Sequence, residues 1–131
     1  MGGIVVGYVS SPEGQAAIKQ GIAEAQLRGV PLHVVWSDRG RDLDSRTAVS
    51  REEELAEVDA QVASAGVPHE VHHLVRGKDP ASDLIEAAQE VQADLIVIGI
   101  RKRTPVGKLV LGSHAQSILL DSPYPVLAVK A

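Results

Sequence analysis

Residues Gly99 to Ser113 gather the residue types that hold phosphate. Glycines at 99, 107 and 112 permit tight turns and close backbone approach. Arg101, Lys102, Arg103 and Lys108 place four positive charges in one loop, and the next acidic residue is Asp121. Gly112-Ser113 then leads into a helical pattern, where free N–H groups and the helix dipole favour an anion. His114 sits one residue inside that helix, placed either to donate to such an anion or to face solvent. A second reading accounts for part of the same stretch. Ser113 with Gln116 fits a capping box, and basic loop residues are commonly just solvated. The P-loop pattern is not met, since Gly107-Lys108 would require Gly at 102 and Ser or Thr at 109, where Lys102 and Leu109 stand.

Other chemistry is thinner. His69-Glu70-Val71-His72-His73 invites a metal ion. On a strand, however, His72 and His73 point to opposite faces, and His69 and His73 lie roughly 13 Å apart. An edge strand is the simpler expectation, with no metal site. Nothing assembles Ser, His and Asp into a triad, so no catalytic residue is assigned. The chain has no cysteine, which excludes disulfides, thiolate ligands and Cys nucleophiles. Aromatic residues are 2 %, too few for a base-stacking platform, and the formal charge of −4 disfavours nucleic acid. No apolar run approaches the roughly 20 residues of a membrane span, and no basic n-region with an h-region marks a secretory signal.

The elements that must position these residues alternate. Apolar runs at Ile4 to Val9, Leu32 to Trp36, Val71 to Val75, Leu95 to Ile98 and Val126 to Val129 read as strands, most of them buried on both faces. Four helical patterns separate them. The first opens on Ser11-Pro12-Glu13, carries Ile18, Ile22 and Ala25 inward, and ends at Gly29. The second is predicted to begin at Ser50, with Glu53 completing a capping box. The third opens on Asp79-Pro80, the fourth on Ser113. With 131 residues, 44 % of them hydrophobic, this is one α/β domain over 1–131, a three-layer sandwich of βαβ units. Ser37 to Val49 is expected to be a charged loop. The long loop after the fourth strand lies at a strand's carboxyl end, where open α/β sheets bind ligands.

At this point the whole chain resembles the universal stress protein family. Its nucleotide-binding members carry Gly-x2-Gly-x9-Gly-Ser/Thr after the fourth strand. Gly99, Gly112 and Ser113 match at that spacing, and Lys102 replaces the second glycine. The Ser-x-x-Gln helix start and the Ser122-Pro123-Tyr124-Pro125-Val126 lead into the last strand also look like this family. The resemblance implies a flavodoxin-like sandwich with a five-stranded, mostly parallel sheet in the order 3-2-1-4-5. It implies an adenine-nucleotide site, for ATP or AMP, drawing on Val9 and Ser10 after the first strand, backbone near Val35 for the adenine, and Gly99, Arg101, Lys102, Gly112, Ser113 and His114. Where nucleotide-binding members have Gly-Tyr-Asp-Gly-Ser, this chain has Gly7-Tyr8-Val9-Ser10-Ser11, so a carboxylate is replaced by Val9. The expected function is a cytoplasmic stress-response binding and regulatory protein, not an enzyme, holding phosphate or nucleotide weakly. The alternatives are a dimeric interaction scaffold that binds no nucleotide and, ranked below it, a slow ATP hydrolase. The resemblance also implies a homodimer through strand 126–129.

Overall fold

The computed structural model describes residues 2–38, 45–75, 79–101 and 111–131. Five strands and four helices alternate: β1 (Ile4–Gly7), α1 (Pro12–Arg28), β2 (Leu32–Asp38), α2 (Ser45–Ser64), β3 (His69–Val75), α3 (Pro80–Val91), β4 (Leu95–Ile100), α4 (Ser113–Asp121) and β5 (Val126–Lys130). All strand pairings are parallel, and the sheet order is β3-β2-β1-β4-β5. The flavodoxin-like order inferred above is therefore the observed one.

Strand alternation sorts the core into two layers. Ile4, Val6, Leu32, Val34 and Val97 face α1 and α2, meeting Ile18, Ala25, Val58 and Val62. Val5, Val35, Ile96 and Ile98 face α3 and α4, meeting Leu84, Ala88 and Ile118. Each fully buried Val or Ile is worth about 1.5–3 kcal/mol against exposure, so β1 and β4, covered on both faces, anchor the sheet. Trp36 belongs to the first layer. It is 6 % exposed and meets Tyr8 edge-on at 5.3 Å and His73 at 5.2 Å between ring centroids. His72 lies on the opposite face, as the strand period requires.

Two helix starts differ from expectation. α2 is already helical at Ser45, so Ser50 and Glu53 are interior residues and not a capping box. The Ser-x-x-Glu spacing recurs inside helices because it equals a helical turn. α4 takes Gly112 as its N-cap, with no side-chain hydrogen bond, and Ser113 is the first helical residue. Gln116 donates from Nε2 to the Leu111 carbonyl at 3.1 Å instead of reaching back as a capping-box partner. The Asp79-Pro80 start is as expected, with Asp79 accepting from the Ser82 N–H at 3.2 Å. β2 runs on to Asp38, which shortens the predicted Ser37 to Val49 loop from both sides. Among the described residues no helix is long and apolar enough to cross a membrane.

Candidate functional site

The sheet order reverses at β1, which pairs with β2 on one side and β4 on the other. Crossovers leave β1 and β4 toward opposite faces, opening a crevice beyond their carboxyl ends. α1, α3 and α4 all begin at this end of the sheet, since each follows the strand that precedes it.

The crevice has two adjoining parts. The first has a volume of about 320 Å³; Gly7, Val35, Leu84, Ile98 and Ile118 make it apolar, and Pro80 and Ala81 at the start of α3 close one side. The second has a volume of about 420 Å³ and is lined by Val9, Glu13, Gly99, Ile100, Arg101, Gly112, Ser113, His114 and Ala115. Val9, Gly99, His114 and Ala115 border both, so the parts are continuous. The apolar part suits a flat heterocycle. The other part has a helix N-terminus with no side-chain cap and one guanidinium, the composition that suits phosphate.

Gly99 has a second reason to be glycine. A Cβ there would lie 1.9 Å from the Glu13 carbonyl oxygen, so β4 and the first turn of α1 meet backbone to backbone. Gly14 does the same for the turn after β1, since its Cβ would lie 1.8 Å from the Val9 carbonyl oxygen. These two contacts fix where Val9, Glu13 and Gly99 stand relative to one another.

Charge in the crevice is paired across elements. Arg101 Nε lies 3.7 Å from Glu13 Oε1, with the Arg101 side chain 85 % exposed. The Ser11 hydroxyl, Glu13's own backbone N–H and the Arg101 guanidinium hold the Glu13 carboxyl below the usual carboxylate range. His114 Nδ1 lies 3.4 Å from Asp79 Oδ1, joining the starts of α4 and α3 over the crevice mouth. Both acids read from the sequence as helix-start residues, not as parts of the site. The available signal was position, because Glu13 lies in the first turn and Asp79 at the N-cap of a helix that follows a strand.

Of the residues named from the sequence, Val9, Val35, Gly99, Arg101, Gly112, Ser113 and His114 come together here. Ser10 does not. Its hydroxyl donates to Glu54 on α2 at 2.8 Å and lines a separate hollow bordered by Glu53, Glu54 and Glu57. Tyr8 donates to the same Glu54 carboxylate, and burial, followed by that contact, pushes its hydroxyl up to about 12. This acidic hollow repels phosphate, so charge alone separates it from the crevice. Lys102 lies outside the described residues, as do Arg103 and Lys108. Trp36 lines neither part of the crevice.

Comparison with known proteins places this arrangement. The profile of the Universal stress protein family matches residues 1–130. A universal stress protein of Mycolicibacterium smegmatis is 47 % identical over 128 residues, covering 97 % of this chain and 96 % of that one. The solved structure of a universal stress protein from Archaeoglobus fulgidus superposes with a TM-score of 0.86 at 38 % identity, covering 99 % of both chains. A universal stress protein from the same organism, solved in complex with dAMP, superposes with a TM-score of 0.80 at 32 % identity, covering 99 % of this chain and 98 % of that one.

Proposed function

This chain belongs to the universal stress protein family, and from that premise we propose that it is a cytoplasmic regulatory protein whose β1–β4 crevice binds an adenine nucleotide weakly, without turning it over. The observation that carries the reading is the junction of an apolar pocket with the uncapped start of α4 beside Arg101. The Archaeoglobus protein with dAMP supports adenine over other heterocycles. The base enters between Val35 and the start of α3, and the phosphates lie toward Gly112, Ser113 and Arg101.

Binding is weak because the family's carboxylate position is Val9, which lines both parts of the crevice and is 50 % exposed. A charged hydrogen bond of that kind contributes about 1.5–3 kcal/mol, or roughly one to two powers of ten in affinity. Titration calorimetry with ATP and with AMP tests the reading. The expected dissociation constants lie between about 10 µM and 1 mM, with no phosphate release that scales with protein concentration. Absence of binding by either nucleotide at millimolar concentration would leave the scaffold reading in its place.

The scaffold reading rests on β5. Val126, Leu127, Ala128 and Val129 are apolar yet only partly buried, and the strand is a sheet edge. Such an edge is a liability unless paired, and a second copy related by a two-fold axis pairs it isologously. Nucleotide binding and dimerisation are compatible, and the same preparation answers for both. Sedimentation at micromolar concentration is expected to show a dimer, and a monomer there would count against the β5 interface.

A further inference from the structure

A cluster on the α3 side of the sheet, toward the β3 edge, has no residue in the crevice lining. β2 and β3 pair so that His33 lies opposite Glu70, and His72 lies two residues further along β3 opposite Val35. Residues two apart on a strand share a face, so His33, Glu70 and His72 all project toward the α3 side. Their ligand atoms converge, all within 4.8 Å of one another. His72 Nε2 stands 3.1 Å from Glu70 Oε2, and His33 Nδ1 stands 3.9 Å from the same oxygen. Tetrahedral zinc with bonds of about 2.0–2.1 Å sets its ligand atoms about 3.3 Å apart. The two separations to Glu70 bracket that value, and drawing the three ligand atoms in from their 4.8 Å limit needs only side-chain rotation of the exposed Glu70 and His72.

Two further observations point to an ion. The buried Nδ1 of His33 has no hydrogen-bond partner, although its side chain is only 12 % exposed. Beside it, a pocket of about 80 Å³ is lined by His33, His72, Asp83 and Glu90 among others. That is room for more than one water. Asp83 in its wall is 1 % exposed; its Oδ2 accepts from the Ser37 hydroxyl at 2.5 Å, while its Oδ1 is buried without a partner. Two imidazoles and a carboxylate, with an acidic water-sized pocket beside them, form the donor set of a divalent transition metal rather than of calcium or magnesium.

We propose that His33, Glu70 and His72 bind one zinc-class divalent ion that clips the β3 edge to β2, with water from the adjoining pocket in the fourth position. This goes beyond the nucleotide reading and does not depend on it. The ion needs no nucleotide, and none of its three ligands lines the crevice.

The test uses untagged full-length protein, stripped with chelator and dialysed. Zinc is titrated in competition with a chromophoric indicator, and cobalt is titrated while its d–d absorption is followed. The expected result is one equivalent bound at about micromolar affinity, a tetrahedral cobalt spectrum, and a melting temperature raised by zinc. His72→Gln and Glu70→Gln, both at exposed positions, should each weaken binding by at least about tenfold. His69→Gln should leave binding unchanged. His69 is on the same strand but the other face, where its Nε2 meets Asp59 Oδ1 at 2.8 Å. The proposal is overturned if no stoichiometric binding occurs, or if His72→Gln and Glu70→Gln bind as tightly as the parent chain.

Discussion

The crevice beyond β1 and β4 and the histidine cluster across β2 and β3 lie on one sheet but are built from different materials. The crevice is made of backbone. Its contributions are helix starts, glycine contacts and a largely apolar pocket, with Arg101 as its one described cation. The cluster is made of side chains held in place by strand register. Backbone N–H groups and helix dipoles draw anions, whereas imidazole and carboxylate lone pairs draw cations. If both bind as proposed, one parallel sheet carries two sites of opposite charge preference. One depends on topology and the other on pairing.

The largest effects should come from breaking the backbone of the crevice. Gly99→Val forces a Cβ into the Glu13 carbonyl, where a flexible side chain is not available to yield. We expect a loss of about 3 kcal/mol or more in chemical denaturation, together with loss of nucleotide binding. The matching insult to the cluster is mild. Glu70 is 65 % exposed, so Glu70→Ala should cost under about 0.5 kcal/mol while still removing a ligand. If both variants are equally destabilised, the distinction between a backbone site and a side-chain site fails.

Next in size is Val9→Asp, which restores a carboxylate at the mouth of both crevice parts. ATP should bind about tenfold tighter by calorimetry, the worth of one charged hydrogen bond less its desolvation. An unchanged affinity would mean that the ligand does not pass Val9. Trp36 is a poor reporter for this experiment, because it packs on the α1–α2 side with Tyr8 and His73.

Smaller effects test the charge pairing at the anion end. Arg101 is mostly exposed, so Arg101→Ala should weaken AMP only severalfold, and less at high salt. Glu13→Gln frees that guanidinium and should tighten AMP by about twofold. It also carries a pH signature. The Glu13 carboxyl titrates below its ordinary value in the fold, so the stability it contributes is present above the unfolded value, about 4.3, and is lost as pH falls through the lower folded one. The parent chain should therefore lose its advantage over Glu13→Gln as pH drops below about 4.3, measured by denaturation at each pH.

How far each region could be read from the sequence follows from the same contrast. The crevice was legible because its signals are local. Gly99, Gly112, Ser113 and Arg101 lie within one loop and helix start, and alternating strands and helices place that loop at the carboxyl end of β4. Its apolar residues, Gly7, Leu84 and Ile118, were not singled out, because a hydrophobic residue lining a pocket looks like one in the core. Ser10 shows the limit of chain adjacency. Adjacent to Val9 in the chain, it turns the other way, toward Glu54 on α2. The cluster was legible only in part, since Glu70 and His72 lie in the histidine-rich segment of the third strand. His69, His72 and His73 were tested only against each other along one strand. His33, the third residue of the proposed site, is 37 positions before Glu70 in the chain and meets it only through the β2–β3 register. Capping boxes failed at Ser50 and Ser113 because a four-residue spacing fits a helix interior as well as its start.

Whether an adenine nucleotide occupies the β1–β4 crevice is decided by titrating AMP into isotopically labelled protein and following the backbone amides by two-dimensional NMR. Saturable shifts are expected at Gly7, Val35, Gly99, Gly112 and Ser113, with His33, Glu70 and His72 unmoved. No shifts at millimolar AMP, or shifts confined to residues outside the crevice, would contradict nucleotide binding there.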